Sequence, residues 1–260
     1  MTTADPDISS ASDQPTLGRS QTDVVIQGVK GMIQRGELAP GARLPIEKDL
    51  AAQLAVSRGS LREGVRALAM MGVLETRQGD GTYVTSLDAN LLLAPMGFMV
   101  DMQTPANSAH IQSVRRVLES EAALRAASRI TEEQLAAAQA VLDGIEGIVD
   151  GEGAENYERV MDADIAFHKI IATAAGNPAL DALIGALSSR TVRARVWRAM
   201  SQRGVMREAQ KEHRSILAEL VARDGDRARI RMANHLLGVE KFIDDHARDL
   251  QDVEVPTDLQ

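Results

Sequence analysis

The chain has 260 residues, of which 44% are hydrophobic and 25% are charged, so it can form one large or two ordinary folded domains. It contains no cysteine, which excludes disulfide frameworks, thiolate metal sites and cysteine nucleophiles. The longest apolar run, residues 91–100, is too short to span a bilayer and is interrupted by Pro95 and Gly97. Residues 1–16 contain no Lys or Arg, so we expect no secretion signal and a cytoplasmic protein.

The N-terminal third begins with residues 1–16, which are rich in Ser, Thr, Asp and Pro and lack hydrophobic periodicity, as is typical of a disordered tail. Apolar residues at helical spacing follow. They predict three helices: residues 23–36, a helix opening at Pro45, and residues 58–71, with Ser57 as the N-cap of the third.

Two short extended runs then flank a glycine-rich turn, which predicts a hairpin. The runs are residues 73–76 and 82–84, and the turn is 78–81. Three helices followed by a hairpin predict a winged helix-turn-helix domain over 17–85.

Charge is distributed unevenly along the chain, although the net charge is −8. Residues 17–84 carry nine Lys/Arg and seven Asp/Glu, a charge of +2, whereas residues 85–260 carry a charge of −7. A mildly basic segment joined to an acidic one is compatible with a DNA-reading module attached to a second domain.

The remainder of the chain has helical periodicity and no convincing strand. Aromatic residues make up only 2% of the chain, so Leu, Ala, Ile, Val and Met must fill the core, as in packed helices. The sequence therefore predicts a mainly α protein whose C-terminal part is a bundle of six or seven helices. The helical patterns cover 88–102, 107–129, 132–150, 154–175, 178–200, 206–223 and 226–248.

The third predicted helix begins Ser57-Arg58-Gly59-Ser60-Leu61-Arg62. In a helix-turn-helix this end enters the major groove, where Arg reads guanine through a bidentate contact. Ser57, Ser60 and the helix N-terminal amides can hold phosphates. Each feature has a plainer interpretation, because an exposed Arg is often only a solvated charge and a glycine-tipped hairpin often only turns.

A candidate metal site is formed by Asp164 and His168, which are four residues apart and therefore share a helix face. His213 and His235 lie on the last two predicted helices. Three imidazoles and one carboxylate can bind a divalent ion and leave positions for water or an oxyanion. The alternative is an incidental Asp/His pair, since spacing alone does not bring the histidines together.

The N-terminal motifs resemble the GntR family of bacterial transcription regulators over about 65 contiguous residues. The matching stretches are Gly36 to Pro45, Glu47-Lys-Asp-Leu-Ala, Val56 to Glu63, Leu68 to Leu74, and Arg77-Gln-Gly-Asp-Gly-Thr-Tyr-Val84. The resemblance implies contacts to bases and phosphates from Lys48, Ser57, Arg58, Ser60 and Arg62, and a wing that contains Arg77, Gly79 and Gly81.

The second half resembles the all-α effector domain of the FadR subfamily (FCD type), in its metal-binding branch. The matching motifs are Asp164-Ile-Ala-Phe-His168, Gly176-Asn-Pro178, Glu212-His213, Asn234-His235-Leu236 and Arg115-Arg-Val-Leu-Glu119. The resemblance implies that Asp164 and the three histidines bind a divalent ion and that the carboxylate of an organic effector completes its shell.

The same resemblance implies that Arg115 pairs with the effector's carboxylate, a role that suits the fork of a guanidinium. Arg115 could instead pair with Glu119 or Glu121. We expect Asn177 and Arg190 to contribute to the effector pocket as well.

These observations predict a ligand-responsive repressor, not an enzyme, that binds a palindromic double-stranded DNA operator as a homodimer and has no membrane partner. The expected effector is a small carboxylate: a sugar acid, a hydroxy acid or a dicarboxylate. The expected cofactor is a divalent metal, with Zn, Ni and Mn equally compatible with mixed N/O ligands. The predicted organisation is a tail (1–16), the DNA-binding domain (17–85), a linker with a linking helix (86–105), an effector-binding and dimerisation domain (106–250) and a second tail (251–260).

Two other functions fit parts of the sequence. A constitutive DNA-binding regulator with a purely structural metal is one. A metal-dependent enzyme is the other, although no His-Glu-x-x-His pairing or other positioned general base accompanies the four ligands.

Overall fold

The fold was examined in a computed structural model, which describes residues 20–101, 108–151, 153–188, 192–202 and 204–246. The predicted tails at 1–16 and 251–260 and the candidate residue Arg190 lie outside this part of the chain. The described residues form eleven helices and two strands. They are α1 (Gln21–Gln34), α2 (Glu47–Gln53), α3 (Arg58–Met70), β1 (Leu74–Arg77), β2 (Gly81–Val84), α4 (Ala89–Asp101), α5 (Ser108–Ala127), α6 (Glu132–Asp143), α7 (Ala154–Ala174), α8 (Pro178–Ser188), α9 (Val192–Ser201), α10 (Val205–Val221) and α11 (Gly225–Asp245).

The chain divides into two compact units. The first contains the residues up to Ala69 together with Leu74–Val84, and the second contains Met70–Val73 and the residues from Thr85 onward. The mainly α prediction is confirmed, because the two strands of the first unit form the only sheet among the described residues. None of the described helices is long and apolar enough to cross a membrane.

The first unit contains three helices and an antiparallel hairpin, as the sequence predicts. α1 begins with a capping box, in which Ser20 accepts a hydrogen bond from the Asp23 amide and the Asp23 carboxylate accepts one from the Ser20 amide. α2 begins at Glu47 and not at Pro45. Apolar side chains on one face of each helix fill a common core, which contains Val25, Val29, Leu50, Leu61 and Leu68.

The hairpin pairs Leu74 with Val84 and Arg77 with Gly81. Residues 41–44 run along the free edge of β2, where the Leu44 amide donates to the Thr82 carbonyl at 2.8 Å. This third segment covers an edge that would otherwise be unpaired and fixes the hairpin to the helices.

The second unit is a bundle in which α5 and α11 pack along each other. Small side chains make the close approach possible: Ala123 and Ala126 of α5 are fully buried, and a Cβ at Gly225 of α11 would lie 2.8 Å from the Leu124 carbonyl oxygen. The core of the bundle also contains Phe167, Ile171, Ile216, Leu220, Met232 and Leu236.

Two predicted helices of this unit differ from those observed. The pattern over 132–150 gives a helix that ends at Asp143, followed by turns that contain Gly144, Gly147 and Gly151. Glycine disfavours a continuing helix, because it loses more backbone entropy than other residues. The pattern over 178–200 gives two helices, α8 and α9.

Gly72 follows α3 with a φ of +71° and packs directly against α4. A Cβ at this position would lie 2.3 Å from the Leu91 carbonyl oxygen, whereas a Cβ at Gly79, which has a similar φ of +75°, would meet no atom within 4 Å. Substituting each of the two glycines by alanine therefore distinguishes the free-energy cost of a left-handed backbone from the additional cost of a steric clash.

We expect Gly72→Ala to lower the free energy of unfolding by about 2–4 kcal/mol, the sum of the left-handed conformation and overpacking against backbone. Gly79→Ala, the control, should lower it by only about 1 kcal/mol. Urea denaturation followed by circular dichroism measures both values. Equal effects of the two substitutions would show that the Gly72–Leu91 contact is not restrictive.

Candidate functional site

The N-terminal end of α3 presents polar and basic side chains to solvent. Ser57 caps the helix, accepting a hydrogen bond at Oγ from the Ser60 amide at 3.0 Å, and the two hydroxyls lie 2.9 Å apart. Arg58 and Lys48 are exposed, and Arg62 forms a bidentate ion pair with Glu47, in which the shortest N–O distance is 2.9 Å. Two guanidiniums and two hydroxyls are therefore grouped at one accessible helix end.

The hairpin turn presents a third guanidinium. Arg77 lies over the ring of Tyr83, with its Cζ 4.3 Å from the ring centroid, and donates to Glu75 through Nε at 3.0 Å. Gly79 and Gly81 both have positive φ, of +75° and +148°. The hairpin therefore combines an Arg whose side chain contacts Tyr83 and Glu75 with two glycines.

Arg43 was not among the residues selected from the sequence. Its guanidinium donates to the carbonyl of Asp80 and packs across Gly81, where a Cβ would lie 2.6 Å from Arg43 Nε. A groove of about 470 Å³ runs between α3 and the hairpin, and its lining includes Arg43, Arg62 and Arg66. The sequence contains the Arg but does not indicate that the chain before α2 pairs with β2.

The second unit brings four predicted ligands together from three helices. α7 supplies Asp164 and His168 from one face, α10 supplies His213 and α11 supplies His235. Each residue offers one ligand atom, and these atoms all lie within 4.8 Å of one another. The three histidines are almost fully buried, and the side chain of Asp164 is 12% exposed.

The distances within this cluster are short. His213 Nε2 lies 3.1 Å from His235 Nε2, so one donates to the other, and Asp164 Oδ1 lies 3.6 Å from His213 Nε2 and 4.0 Å from His168 Nε2. Among the described residues, His168 Nε2 is one of three buried side-chain polar atoms without a hydrogen-bond partner. An orphaned imidazole nitrogen beside a carboxylate is an arrangement that a metal ion satisfies.

Carboxylates behind the cluster orient two of the imidazoles. His168 Nδ1 donates to Glu119, and His235 Nδ1 donates to Glu212 Oε2 at 2.7 Å. An ionised carboxylate only accepts hydrogen bonds, so Nδ1 carries the proton and Nε2 keeps its lone pair. Carboxylates that accept a hydrogen bond from the Nδ1 of a histidine in this way are typical partners of metal-binding histidines.

The charge state of the cluster also suits a metal. Burial lowers the pKa of His213 and of His235 well below the usual histidine value, and the neighbouring histidines lower it further. Both imidazoles are therefore neutral at pH 7, as metal binding requires. Burial alone would raise the pKa of Glu119, but the charges and hydrogen bonds of Arg115 and His168 outweigh this effect and hold it well below the usual range.

Arg195 of α9 is a further buried residue of the site, and sequence reasoning missed it. Its guanidinium pairs with Asp164 and donates to the Ser188 carbonyl at 3.1 Å. Burial lowers the pKa of Arg195 to about 9, so the side chain is still protonated at pH 7. The sequence offers four arginines between 190 and 198, and nothing in their spacing singles out this one.

The four-residue cluster borders a cavity of about 60 Å³. Asp164, His213 and His235 line it together with Arg195 and Gln210. Tyr157 and Arg198 also line it. The rest of the wall is apolar and is formed by Ile145, Val160, Met161, Ala199, Val205, Met206, Ala209 and Val239.

Two of the three residues predicted to bind an effector, Arg115 and Asn177, do not line this cavity. Arg115 forms an ion pair with Glu119, at 2.6 Å, and is not part of the cavity wall. Asn177 caps α8, accepting from the Ala179 and Leu180 amides at 3.2 and 3.3 Å. Arg190 lies outside the described residues, so its role stays a prediction.

Two family models match the chain. The model for bacterial regulatory proteins of the gntR family matches residues 21–84, and the model for the FCD domain matches residues 110–238. Each match covers one of the two regions examined above.

Curated relatives match most of the chain. The HTH-type transcriptional regulator LutR of Bacillus subtilis (strain 168) is 33% identical over 218 residues, which are 82% of this chain and 96% of the relative. The HTH-type transcriptional repressor NanR of Klebsiella aerogenes is 27% identical over 231 residues, 87% of this chain and 86% of the relative. Among solved structures, a Streptococcus agalactiae GntR protein matches 85% of this chain and 99% of its own, with a TM-score of 0.61 and 27% identity.

The neutral, buried imidazoles give a pH dependence that metal-free protein should show. In the unfolded chain, His213 and His235 take up protons as the pH falls below about 6.5, whereas in the folded protein they do not. The unfolded state therefore binds more protons, and stability falls as the pH falls. We expect the C-terminal unit to lose up to about 1.4 kcal/mol per pH unit for each of these histidines below pH 6.5.

Guanidinium denaturation of chelator-treated protein between pH 7.5 and 5.5 measures this loss. The single tryptophan, Trp197, belongs to α9 and reports on the C-terminal unit. His213→Gln should roughly halve the slope, while His110→Ala, which alters an exposed histidine of α5, should leave it unchanged. A stability that is flat over this range would show that the buried imidazoles titrate normally.

Proposed function

This chain belongs to the GntR family of bacterial transcription regulators, and we propose that it binds a palindromic operator as a homodimer and represses genes until a small organic acid enters its C-terminal site. It is a DNA-binding regulator and not an enzyme. Its similarity to the NanR repressors supports repression as the direction of control.

DNA recognition is assigned to the N-terminal end of α3. Arg58 and Arg62 lie one helical turn apart on the first turns of that helix, where a major-groove reader presents its side chains. Lys48, Ser57 and Ser60 would bind phosphates. The hairpin would add Arg77, with Gly79 and Gly81 allowing its backbone to approach the minor groove.

A homodimer is supported by apolar side chains left exposed on α5. Val114 and Val117, which face outward along this helix, are 49% and 63% exposed. A two-fold partner would bury such a stripe and place two recognition helices on two half-sites.

The divalent ion would be held by Asp164, His168, His213 and His235, and the donor set fits it, because the imidazoles of His213 and His235 are neutral and His168 Nε2 has no hydrogen-bond partner. When bound, such an ion supplies a Lewis-acidic position that a carboxylate can complete. Zn, Ni and Mn remain compatible with these ligands.

The charge balance of the site supports an anionic effector. Asp164 is paired with Arg195, and Glu119 is paired with Arg115, so the buried charges cancel when the histidines are neutral. A divalent ion adds two positive charges to this enclosed region, and a carboxylate offsets part of them. An effector changes the operator affinity only if it binds the DNA-binding state and the released state of the dimer with different affinities. The resulting change is typically about 1–3 kcal/mol.

The convergence of the four ligands from α7, α10 and α11 beside a cavity is the observation that carries this proposal. It also favours a second candidate, a regulator whose metal is purely structural, because a metal there would tie three helices together. The two candidates differ in whether an acid changes operator binding.

Arg58→Ala tests the DNA interface. We expect operator binding to weaken by about 1–3 kcal/mol, because a bidentate contact to guanine is lost. Arg125→Ala, which removes the same charge from the exposed surface of α5, is the matched control and should bind the operator normally. A gel-shift titration at fixed salt makes the comparison, and an unchanged affinity for Arg58→Ala would remove this residue from the interface.

His168→Ala tests the metal centre. The variant should lose its metal in elemental analysis after dialysis, and small carboxylates should no longer release it from the operator, while operator binding itself is retained. His110→Ala should keep both metal and response. Full metal occupancy of His168→Ala would contradict the site, and a wild-type operator affinity that no small carboxylate changes would indicate the structural role.

A further inference from the structure

We propose that the groove between α3 and the hairpin binds the sugar-phosphate backbone of one DNA strand, with Arg43 and Arg66 as phosphate ligands. This inference rests on the proposed function, because it requires that the N-terminal end of α3 enters the major groove. It adds to that interface two contacts that contribute affinity and salt dependence but no sequence preference.

The lining of the groove is positively charged. Its polar part consists of three guanidiniums, two threonine hydroxyls and one carboxylate, which belong to Arg43, Arg62, Arg66, Thr76, Thr82 and Glu47. Glu47 is the one acid among these lining residues, and it pairs with Arg62 at 2.9 Å. The carboxylate of Asp80, at the hairpin turn, accepts a hydrogen bond from Tyr83 at 2.8 Å and is not part of the lining. Three positive charges and one negative charge leave the groove with a net charge of +2, which attracts a polyanion.

Hydrogen-bond donors stand on both walls of the groove. Arg66 is an exposed residue of α3, whereas Thr76 and Thr82 lie opposite each other in the hairpin, with hydroxyl oxygens 3.3 Å apart. Arg43 lies beside β2 and donates to the carbonyl of Asp80. The floor between the walls is apolar and contains the buried residues Leu44, Leu50 and Leu61. Guanidiniums and hydroxyls are the side-chain groups that commonly bind phosphate oxygens.

Arg66 lies too far along α3 to read a base. Arg58, Arg62 and Arg66 recur every four residues and are all exposed, so they share one face of the helix. A rise of about 1.5 Å per residue places Arg66 about 12 Å beyond Arg58 along the helix axis. This distance exceeds the depth of the major groove, which is about 8.5 Å. Arg66 is therefore level with the phosphates when Arg58 contacts a base edge.

The hairpin determines which strand the groove receives. We assign α3 to the major groove and the hairpin turn, with Arg77, to the adjacent minor groove. One strand of the duplex separates these two grooves, so it must pass between α3 and the hairpin, which is where the groove of about 470 Å³ lies. Arg66 would contact a phosphate of this strand from the helix side, and Arg43 would contact one from the hairpin side.

Salt dependence tests the inference, because each phosphate contact releases counterions from DNA. Fluorescence anisotropy titrations of the full-length protein between about 0.05 and 0.2 M salt give the slope of log K against log salt concentration. Arg43→Ala and Arg66→Ala should each reduce the magnitude of this slope by about 0.9 per bound protomer, which weakens binding at 0.1 M salt by about eightfold per protomer. The operator and a random-sequence duplex should be affected equally, because phosphates carry no sequence information.

Two further variants separate the phosphate contact from other effects. Arg35→Ala is the matched control, because Arg35 is an exposed residue of the same unit, pairs with Glu37 at 2.6 Å and is not part of the groove. It should leave the slope unchanged. Arg43→Gln removes the charge but keeps a donor for the Asp80 carbonyl, so it should reduce the slope as much as Arg43→Ala does. Circular dichroism checks that each variant is folded.

Each outcome decides the inference. Unchanged slopes in Arg66→Ala and Arg43→Gln overturn it, and they leave the proposed function standing if Arg58→Ala still weakens operator binding. A lower slope in only one of these two variants overturns the role of the other residue, and a loss confined to the operator would show that the arginines read bases.

A free anion is the other source of phosphate for such a groove, and isothermal titration of the wild-type protein with pyrophosphate distinguishes it from DNA. Saturable binding of pyrophosphate that Arg66→Ala abolishes, with no change in the DNA slope, would overturn the assignment to DNA. Wild-type protein that binds neither duplex would overturn this inference and the proposed function together.

Discussion

Ion pairing inside the helical bundle is the interaction on which the candidate site depends. Asp164 and Glu119 are buried among imidazoles, where an unpaired carboxylate would cost several kcal/mol. Each is paired with a buried guanidinium, Asp164 with Arg195 and Glu119 with Arg115. The pair with Arg115 keeps Glu119 ionised, and an ionised Glu119 in turn determines which nitrogen of His168 carries the proton. The arrangement of the four candidate ligands therefore depends on the ion pairs that Asp164 forms with Arg195 and Glu119 forms with Arg115.

The same contacts connect the cavity to the frame of the bundle. Glu119, Arg115 and Gln112 all belong to α5. Gln112 Nε2 donates to the Leu236 carbonyl of α11, and Gln112 Oε1 accepts a hydrogen bond from Arg115. His235 lies one residue before Leu236, so α5 and α11 are linked to the site by hydrogen bonds as well as by packing. The hydrogen bonds around the cavity therefore reach the two helices that pack most extensively in this unit.

Much of this arrangement could be predicted from the sequence, because local patterns determine it. The i, i+4 spacing places Asp164 and His168 on one helix face whatever the rest of the chain does, and the turn residues around Gly79 and Gly81 predict the hairpin. The positions of His213 and His235 relative to them are not local, and only the resemblance to a family predicted their convergence. The early end of α6 at Asp143 was not predicted, because helical periodicity continues past it.

Arg195 shows why the remaining site residues could not be predicted in this way. Arg195 is one of several arginines in a short segment. It pairs with Asp164 because α9 lies beside α7, and the spacing of residues 190–198 does not predict that packing. Arg115 was the more natural candidate for binding a carboxylate, yet its own helix supplies a carboxylate one turn away, and that i, i+4 pair closes at 2.6 Å. The donors that the protein itself leaves unsatisfied become visible only when the buried hydrogen bonds are accounted for in three dimensions.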